Sequence, residues 1–386
     1  MTLDMPVLSV IIVSYNVRHY VRQCLDSVLR SCPDAELFVV DNASSDGSAE
    51  YIRDCFPQAV IIANTENVGF GRANNQALVQ VSGRYVLFLN PDTVVAERTL
   101  PGCIAYMDSH PGTGAVGVRM QYGDGRFAME SRRSVPTPSV SFWHMTGMGR
   151  LFPRSRKFAK YHLSYMDRDS ECPIEVVSGA FMFVRKEALD RTGGFDESFF
   201  MYGEDIDLSY RILQAGYENC YLPLPIVHYK GESTNKTSYR YAKVFYDAMT
   251  IFFDKHYRHY NGFFRLMVKL VAGVRKIVTF LGQNILKGRR QIAECREKCL
   301  FVGRRECFDD VAALVARSSH LTGLQYAGLP ETADLSGIEA ILFDTDTFSY
   351  DRILDLMYGY ACGGRLMTMG LYSQKTGHLI TIDEVL

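Results

Sequence analysis

Five places in the 386-residue chain carry groups able to do chemistry. Asp41 closes the apolar run ELFVVD, and Asp92 follows the run RYVLFLNP. A carboxylate at a strand end can accept the imide N–H of a uracil or thymine ring. It can equally cap the turn that follows, the role assigned here to nearby Asp46. Asp92, in LNPDT, offers oxygen to a hard divalent cation that shares its ligands with a diphosphate. His228, in HYKGEST, adds a nitrogen ligand if the fold brings it close, and is otherwise structural; an Asp/His set with phosphate oxygens suits Mn²⁺ or Mg²⁺. The pair Glu204-Asp205, in YGEDIDLSYR, can supply a general base for a hydroxyl nucleophile, or simply place charge at a helix start. In ENVGFGRANNQAL the glycines precede a helix whose first N–H groups can hold an anion. Arg72 can add charge toward a phosphate, or Gly71 merely begins the helix.

These residues need a frame, and the first third of the chain supplies one. LSVIIVSYN, ELFVVDNAS, AVIIAN and RYVLFLNPD read as strands ending in polar residues, with amphipathic helices between them. The alternation predicts a doubly wound α/β domain with right-handed crossovers, whose ligands bind beyond the strands' C-terminal ends. Asn16, Asp41, Asn67 and Asp92 all lie at or just past such ends. Residues 120 to 172 read as an irregular, basic loop region placed over a site. IEVVSGAFMFV reads as one strand with an internal Gly-Ala, DLSYRILQAG as a helix, LPIVHYKGEST as a short strand and loop, and 241–252 as a helix. The final 90 or so residues restart the α/β pattern with CLFVG, FDDVAALVARS, LTGLQYAG, AILFDT, SYDRILDLMYGY, RLMTM and HLITI. No GxGxxG follows the first of these strands, so a dinucleotide pocket is not expected there; a scaffolding or oligomerising role is.

Composition sets the outer limits. Hydrophobic residues make up 47% and charged residues 22%, the profile of an ordinary globular protein. The formal charge of -1 excludes a uniformly basic nucleic-acid binder. The ten scattered cysteines show no zinc or redox spacing and read as reduced thiols of a cytoplasmic protein. The N-terminus reads as a first strand rather than a signal peptide. No apolar run reaches the ~18 residues of a membrane span. The charge is uneven, however. Residues 255–293 hold nine basic residues and no acidic one, leaving 33 basic against 43 acidic residues elsewhere. Within that segment Arg265, Lys269, Lys276 and Lys287 share one polar stripe if it is helical, with apolar faces beside it. Such a helix suits the interface of an anionic membrane, or else lies buried between two domains.

The ordered set SYN, VVDNASSDGS, ENVGFGRANN, FLNPDT, GAFMFVRKEAL, GGFDESFFMYGEDIDL and VHYKGEST, over residues 6 to 235, resembles a family 2 glycosyltransferase of the GT-A fold. The likeness is to the bacterial rhamnosyltransferase-like branch that builds surface polysaccharides. The resemblance implies roles residue by residue. Ser14, Tyr15 and Asn16 line the nucleotide site, and Asp41 pairs with the pyrimidine. Asn67 and Gly69 shape the floor near ribose and phosphates, with Arg72 as a phosphate contact. Asn90-Pro91-Asp92 stands where the family has its DxD motif, so Asp92 reaches the metal with His228. Gly179 and Ala180 line the sugar pocket, and Asp205 of the Glu204-Asp205 pair is the base. The sequence departs from the pattern in that Asn90 replaces the first Asp of DxD, and Phe70 occupies a position often basic.

The implied activity is inverting transfer of a sugar from a dTDP- or UDP-sugar, dTDP-rhamnose among them, to a glycan hydroxyl on a polyprenyl-diphosphate-linked acceptor, with Mg²⁺ or Mn²⁺. The implied location is peripheral, on the inner face of the bacterial cell membrane, in a chain that can homo-oligomerise. The expected division is a GT-A domain over 1–254, the basic segment over 255–293, and a small Rossmann-like α/β domain over 294–386. Two alternatives stay open: a sugar-nucleotide nucleotidyltransferase, disfavoured by the glycine-free SYNVRHYVRQ, and an inactive scaffold.

Overall fold

The computed structural model describes residues 6–229, 239–257 and 296–386. The basic segment 255–293 therefore lies outside the described residues beyond Tyr257.

A nine-stranded mixed sheet carries the site. Its strands are β1 (Leu8–Ser14), β2 (Glu36–Asp41), β3 (Val60–Ala63), β4 (Tyr85–Leu89), β5 (Thr93–Val95), β6 (Thr113–Gln121), β7 (Cys172–Ile174), β8 (Phe181–Arg185) and β9 (Glu218–His228). They run β3-β2-β1-β4-β8-β6-β9-β5, with β7 also paired to β9. The first four are parallel, as expected. β8 is antiparallel to β4 and β6. β1 is buried at every position, so helices must cover both of its faces. Helix α1 (Arg18–Ser31) packs through Val21, Cys24, Leu25 and Val28, one stripe at helical spacing. Helices α2 (Ser48–Cys55), α3 (Phe70–Leu78) and α4 (Thr99–Ser109) complete the crossovers.

Residues 122–171 are not a bare loop over a site. They contain α5 (Pro138–Met145) and α6 (Met148–Leu151). Thr137 caps α5 by accepting the Val140 N–H, with Pro138 at the first turn. Arg132 roots the excursion: its guanidinium is fully buried and donates to the carbonyls of Met166 and Asp167. IEVVSGAFMFV is not one strand either. Gly179 and Ala180 lie ahead of β8, at the turn that leads into it. Beyond β8 come α7 (Lys186–Thr192), α8 (Glu204–Gln214) and α9 (Tyr239–His256). Buried Asp207 fastens α9 to α8, accepting from His256 Nε2 at 2.6 Å and pairing with Lys255 at 2.8 Å and Arg211 at 2.7 Å.

The second sheet holds β10 (Glu297–Val302), β11 (Leu321–Ala327), β12 (Ala340–Asp344), β13 (Thr368–Ser373) and β14 (His378–Ile380), flanked by α10 (Phe308–Arg317) and α11 (Tyr350–Cys362). Its order is β11-β10-β12-β13-β14, with only β14 antiparallel. This unit shares a core with the first: Tyr20, Val94, Val227 and Tyr229 pack in one cluster with Phe343, Ile353, Met357 and Ile380. Polar contacts reinforce the seam. Glu97 accepts the first N–H groups of α11, from Tyr350 at 3.0 Å and Asp351 at 2.8 Å, and Arg98 pairs with Asp351 and Asp355.

Candidate active site

The ends of β1, β2 and β4 lie side by side because Ser14 pairs with Asp41 and Ile12 with Leu89 in register. Two connected groups of candidate residues form there.

The first group surrounds the loop after β2. Asp41 is buried, and its two oxygens accept from Ser44, Oδ1 from the hydroxyl at 2.6 Å and Oδ2 from the backbone at 3.0 Å. Asn16 holds the same loop from the other side. It adopts φ 55, a conformation in which Asn is tolerated, and its Oδ1 accepts the Ser45 N–H at 2.7 Å. Tyr15 stands exposed beside it. Ser14 is buried, and its hydroxyl has no partner among the described residues. Asn67 Oδ1 accepts the Gly69 N–H at 3.0 Å and Asn42 Nδ2 at 3.2 Å. Gly69 is required by its backbone: φ 87 with ψ 171 is open essentially to glycine, and a Cβ would lie 2.7 Å from the Phe200 carbonyl oxygen. Arg72 is not directed at this group. Its Nε pairs with Glu197 at 3.1 Å on the half-exposed face of α3.

The second group is built by the turn after β4, the turn before β8, the start of α8 and the end of β9. His228 is placed by register, opposite Thr93 on β5. Its Nε2 lies 3.3 Å from Asp92 Oδ1 and 3.2 Å from Asn90 Nδ2, and its buried Nδ1 has no partner among the described residues. The backbone of Asn90 donates to the Ala180 carbonyl at 3.0 Å. Its neighbour Gly179 donates to Asp205 Oδ2 at 3.0 Å. Ala180 and Gly179 thus bridge the Asp92–His228 pair to Asp205. The start of α8 is aimed by two residues of positive φ, Tyr202 at 67 and Gly203 at 86.

Asp205 is ion-paired with Arg133, a residue of the excursion that sequence reading passed over. With Arg133, Gly179 and Ile206 as donors, three of its roughly four acceptor positions are filled. Glu204 differs sharply. Its carboxyl is buried, its Oε2 has no partner among the described residues, and it is pushed up to about 8 by burial and then by the Asp205 charge. Glu204 thus holds its proton more tightly than an ordinary carboxyl does, while Asp205 is engaged by Arg133, so environment separates the two side chains.

The Asp92–His228 pair fits a hard divalent ion. Adjacent ligands of an octahedral Mg²⁺ at 2.0–2.1 Å are about 3 Å apart, close to the 3.3 Å seen. Among the described residues no third His, Cys, Asp or Glu joins them. An ion held there would take its remaining ligands from substrate oxygens and water. Sequence reading also missed Asn42, whose Oδ1 accepts from Asn64 and whose Nδ2 reaches Asn67 and the Gly69 carbonyl. Its position directly after Asp41 was the available signal.

Residues 9–193 match the family described as Glycosyl transferase family 2. Among curated relatives, the N-acetylglucosaminyl-diphospho-decaprenol L-rhamnosyltransferase of Mycobacterium tuberculosis is 27% identical over 65% of this chain and 85% of that protein. The rhamnosyltransferase WbbL of Escherichia coli K12 is 30% identical over 57% of this chain and 82% of that protein. Among solved structures, a mannosyltransferase from Pyrobaculum calidifontis matches 81% of each chain, with 17% identity and a TM-score of 0.47. The chain belongs to glycosyl transferase family 2, in its rhamnosyltransferase-like branch, and its large sheet is the family's GT-A domain.

Proposed function

We propose that the chain transfers a sugar, with inversion, from a dTDP- or UDP-sugar to a hydroxyl of a polyprenyl-diphosphate-linked glycan at the inner face of the cell membrane. dTDP-rhamnose is the donor that the relatives' names favour. The observation that carries the reading is the bridge from Asp92–His228 through Ala180 and Gly179 to Asp205. In this reading the bridge joins a leaving-group end to a base end on one frame.

Asp92 and His228 would hold the divalent ion, which supplies charge neutralisation for the departing diphosphate. Asp205 takes the proton of the acceptor hydroxyl while that oxygen bonds to the anomeric carbon. The bond from that carbon to phosphate breaks, and its electron pair leaves with the diphosphate. Arg133 and the Gly179 N–H hold the Asp205 carboxylate in place. Glu204, protonated beside it, adds no second negative charge. Asp41 retains lone pairs for the imide N–H of a pyrimidine, and Tyr15 offers a ring face to the base. Family membership favours this reading over nucleotidyl transfer.

A panel of sugar nucleotides with Mg²⁺ or Mn²⁺ tests the proposal. Release of nucleoside diphosphate and protection against heat unfolding are expected with a dTDP- or UDP-sugar. Failure of every sugar nucleotide to bind would overturn it.

A further inference from the structure

The excursion between β6 and β7 has a surface that the proposed reaction does not use. From residue 138 to 166 it carries Arg150, Arg154, Arg156, Lys157 and Lys160, and no acidic residue. Lys160 pairs with Glu175, but Arg150, Arg154 and Arg156 make no ion pair among the described residues. At the tip Leu151 is 72% exposed and Phe152 50% exposed. Behind them the ring of Phe158 lies 5.5 Å from that of Phe152 and 4.8 Å from that of Trp143. Lys157 sits 5.5 Å from the Trp143 ring. The result is a ridge of apolar tips on an aromatic base, set in a basic collar.

We propose that this ridge docks on the surface of an anionic membrane. Leu151 and Phe152 enter the boundary between headgroups and acyl chains, and Arg150, Arg154, Arg156 and Lys157 face the lipid phosphates. Charge complementarity selects this occupant: protruding apolar side chains flanked by Arg150, Arg154 and Lys157 match an anionic interface, with Arg156 beside them at the mouth of a pocket that it shares with Asp167 and Glu171. The ridge is also tied to the base. The Ser134 N–H donates to the Tyr161 carbonyl at 2.9 Å, the His144 ring lies 4.1 Å from that of Tyr161, and Arg133, next to Ser134, holds Asp205. Docking therefore turns the catalytic end toward a lipid-borne acceptor. The inference deepens the lipid-linked reading above and takes its purpose from it, but vesicle binding requires neither donor nor transfer, so the two fail separately.

Trp143 is the chain's single tryptophan, so its emission reports this ridge alone. The full chain is mixed with phosphatidylglycerol–phosphatidylcholine vesicles bearing brominated acyl chains, and pelleting is scored in parallel. Quenching of Trp143 is expected at low salt, with recovery at ~0.5 M salt. Leu151→Asp combined with Phe152→Asp removes the quenching while leaving the thermal midpoint unchanged. Arg154→Glu, Arg156→Glu and Lys157→Glu together lower partitioning by at least ~100-fold. Vesicles that pellet the chain without quenching Trp143 would place the membrane on another face and overturn the proposal. Absence of both pelleting and quenching would overturn it as well, leaving the ridge to a protein or nucleic-acid partner.

Discussion

His228 Nε2 lies 3.3 Å from Asp92 Oδ1, although 136 positions separate the two residues in the chain. The pairing is set by backbone register, since Thr93 stands opposite His228. If the pair holds a divalent cation, Asp92→Asn and His228→Ala should each lose the metal-dependent part of donor binding. Heat unfolding with the donor, in the presence of Mn²⁺ or of a chelator, measures this. The wild type should gain stability from the metal and the variants should not. Equal gains in all three would contradict the assignment.

Glu204 predicts a pH dependence. Its carboxyl, raised from the ordinary 4.5 to about 8 by burial and by Asp205, binds its proton more tightly in the folded chain. A raised acid contributes stability in full below about 4.5, and that contribution is lost as pH rises through about 8. Glu204→Gln is neutral throughout. Urea midpoints should therefore favour this variant over the wild type by a margin that widens from about pH 5 to about pH 9. A margin independent of pH would contradict the raised value.

The two site glycines should respond differently to alanine. At Gly69 the backbone conformation and the Phe200 carbonyl both oppose a Cβ. Gly69→Ala should destabilise by about 1–3 kcal/mol and raise the donor KM. At Gly179 an added Cβ meets Asp205 Cβ at 3.3 Å. Gly179→Ala should leave stability nearly unchanged and lower kcat, because what shifts is the Asp205 carboxylate. Denaturation curves and steady-state kinetics separate the two, and identical profiles would contradict the distinction.

The shared core between the sheets predicts one cooperative unit. Calorimetry of the full chain should show a single transition among these elements. Glu97→Ala, which uncaps α11, should lower it as a whole by about 1 kcal/mol. Two transitions, with only the lower one shifted, would contradict the shared core.

Much of this was legible in the sequence because apolar periodicity and strand-end polar residues are local signals. The four parallel strands, α1, α8 and most elements of the second sheet follow from such runs; the strand expected at RLMTM instead runs over Thr368–Ser373, sharing only Thr368 and Met369 with that run. Less legible was what depends on distant partners. The buried strand β6 lies in TGAVGVRMQ, whose small residues and arginine hide it. Arg119 there is buried by pairing with Asp169 and Asp355. Arg133 came from a stretch that looked like a basic loop, yet one of its arginines anchors the fold and the next holds Asp205. The seam between the sheets was invisible because Tyr20, Val94 and Tyr229 read as interior residues of the first unit alone. Arg72 followed the glycine-loop pattern, but Glu197 from a distant turn took its charge.

Asp205→Asn tests the central claim most directly, read as turnover and donor binding on one preparation. The asparagine keeps the shape of the side chain and removes the base. Turnover should fall by about 10²–10⁴-fold, while the donor still protects the chain against heat unfolding. Turnover near that of the wild type would contradict Asp205 as the residue that takes the acceptor's proton.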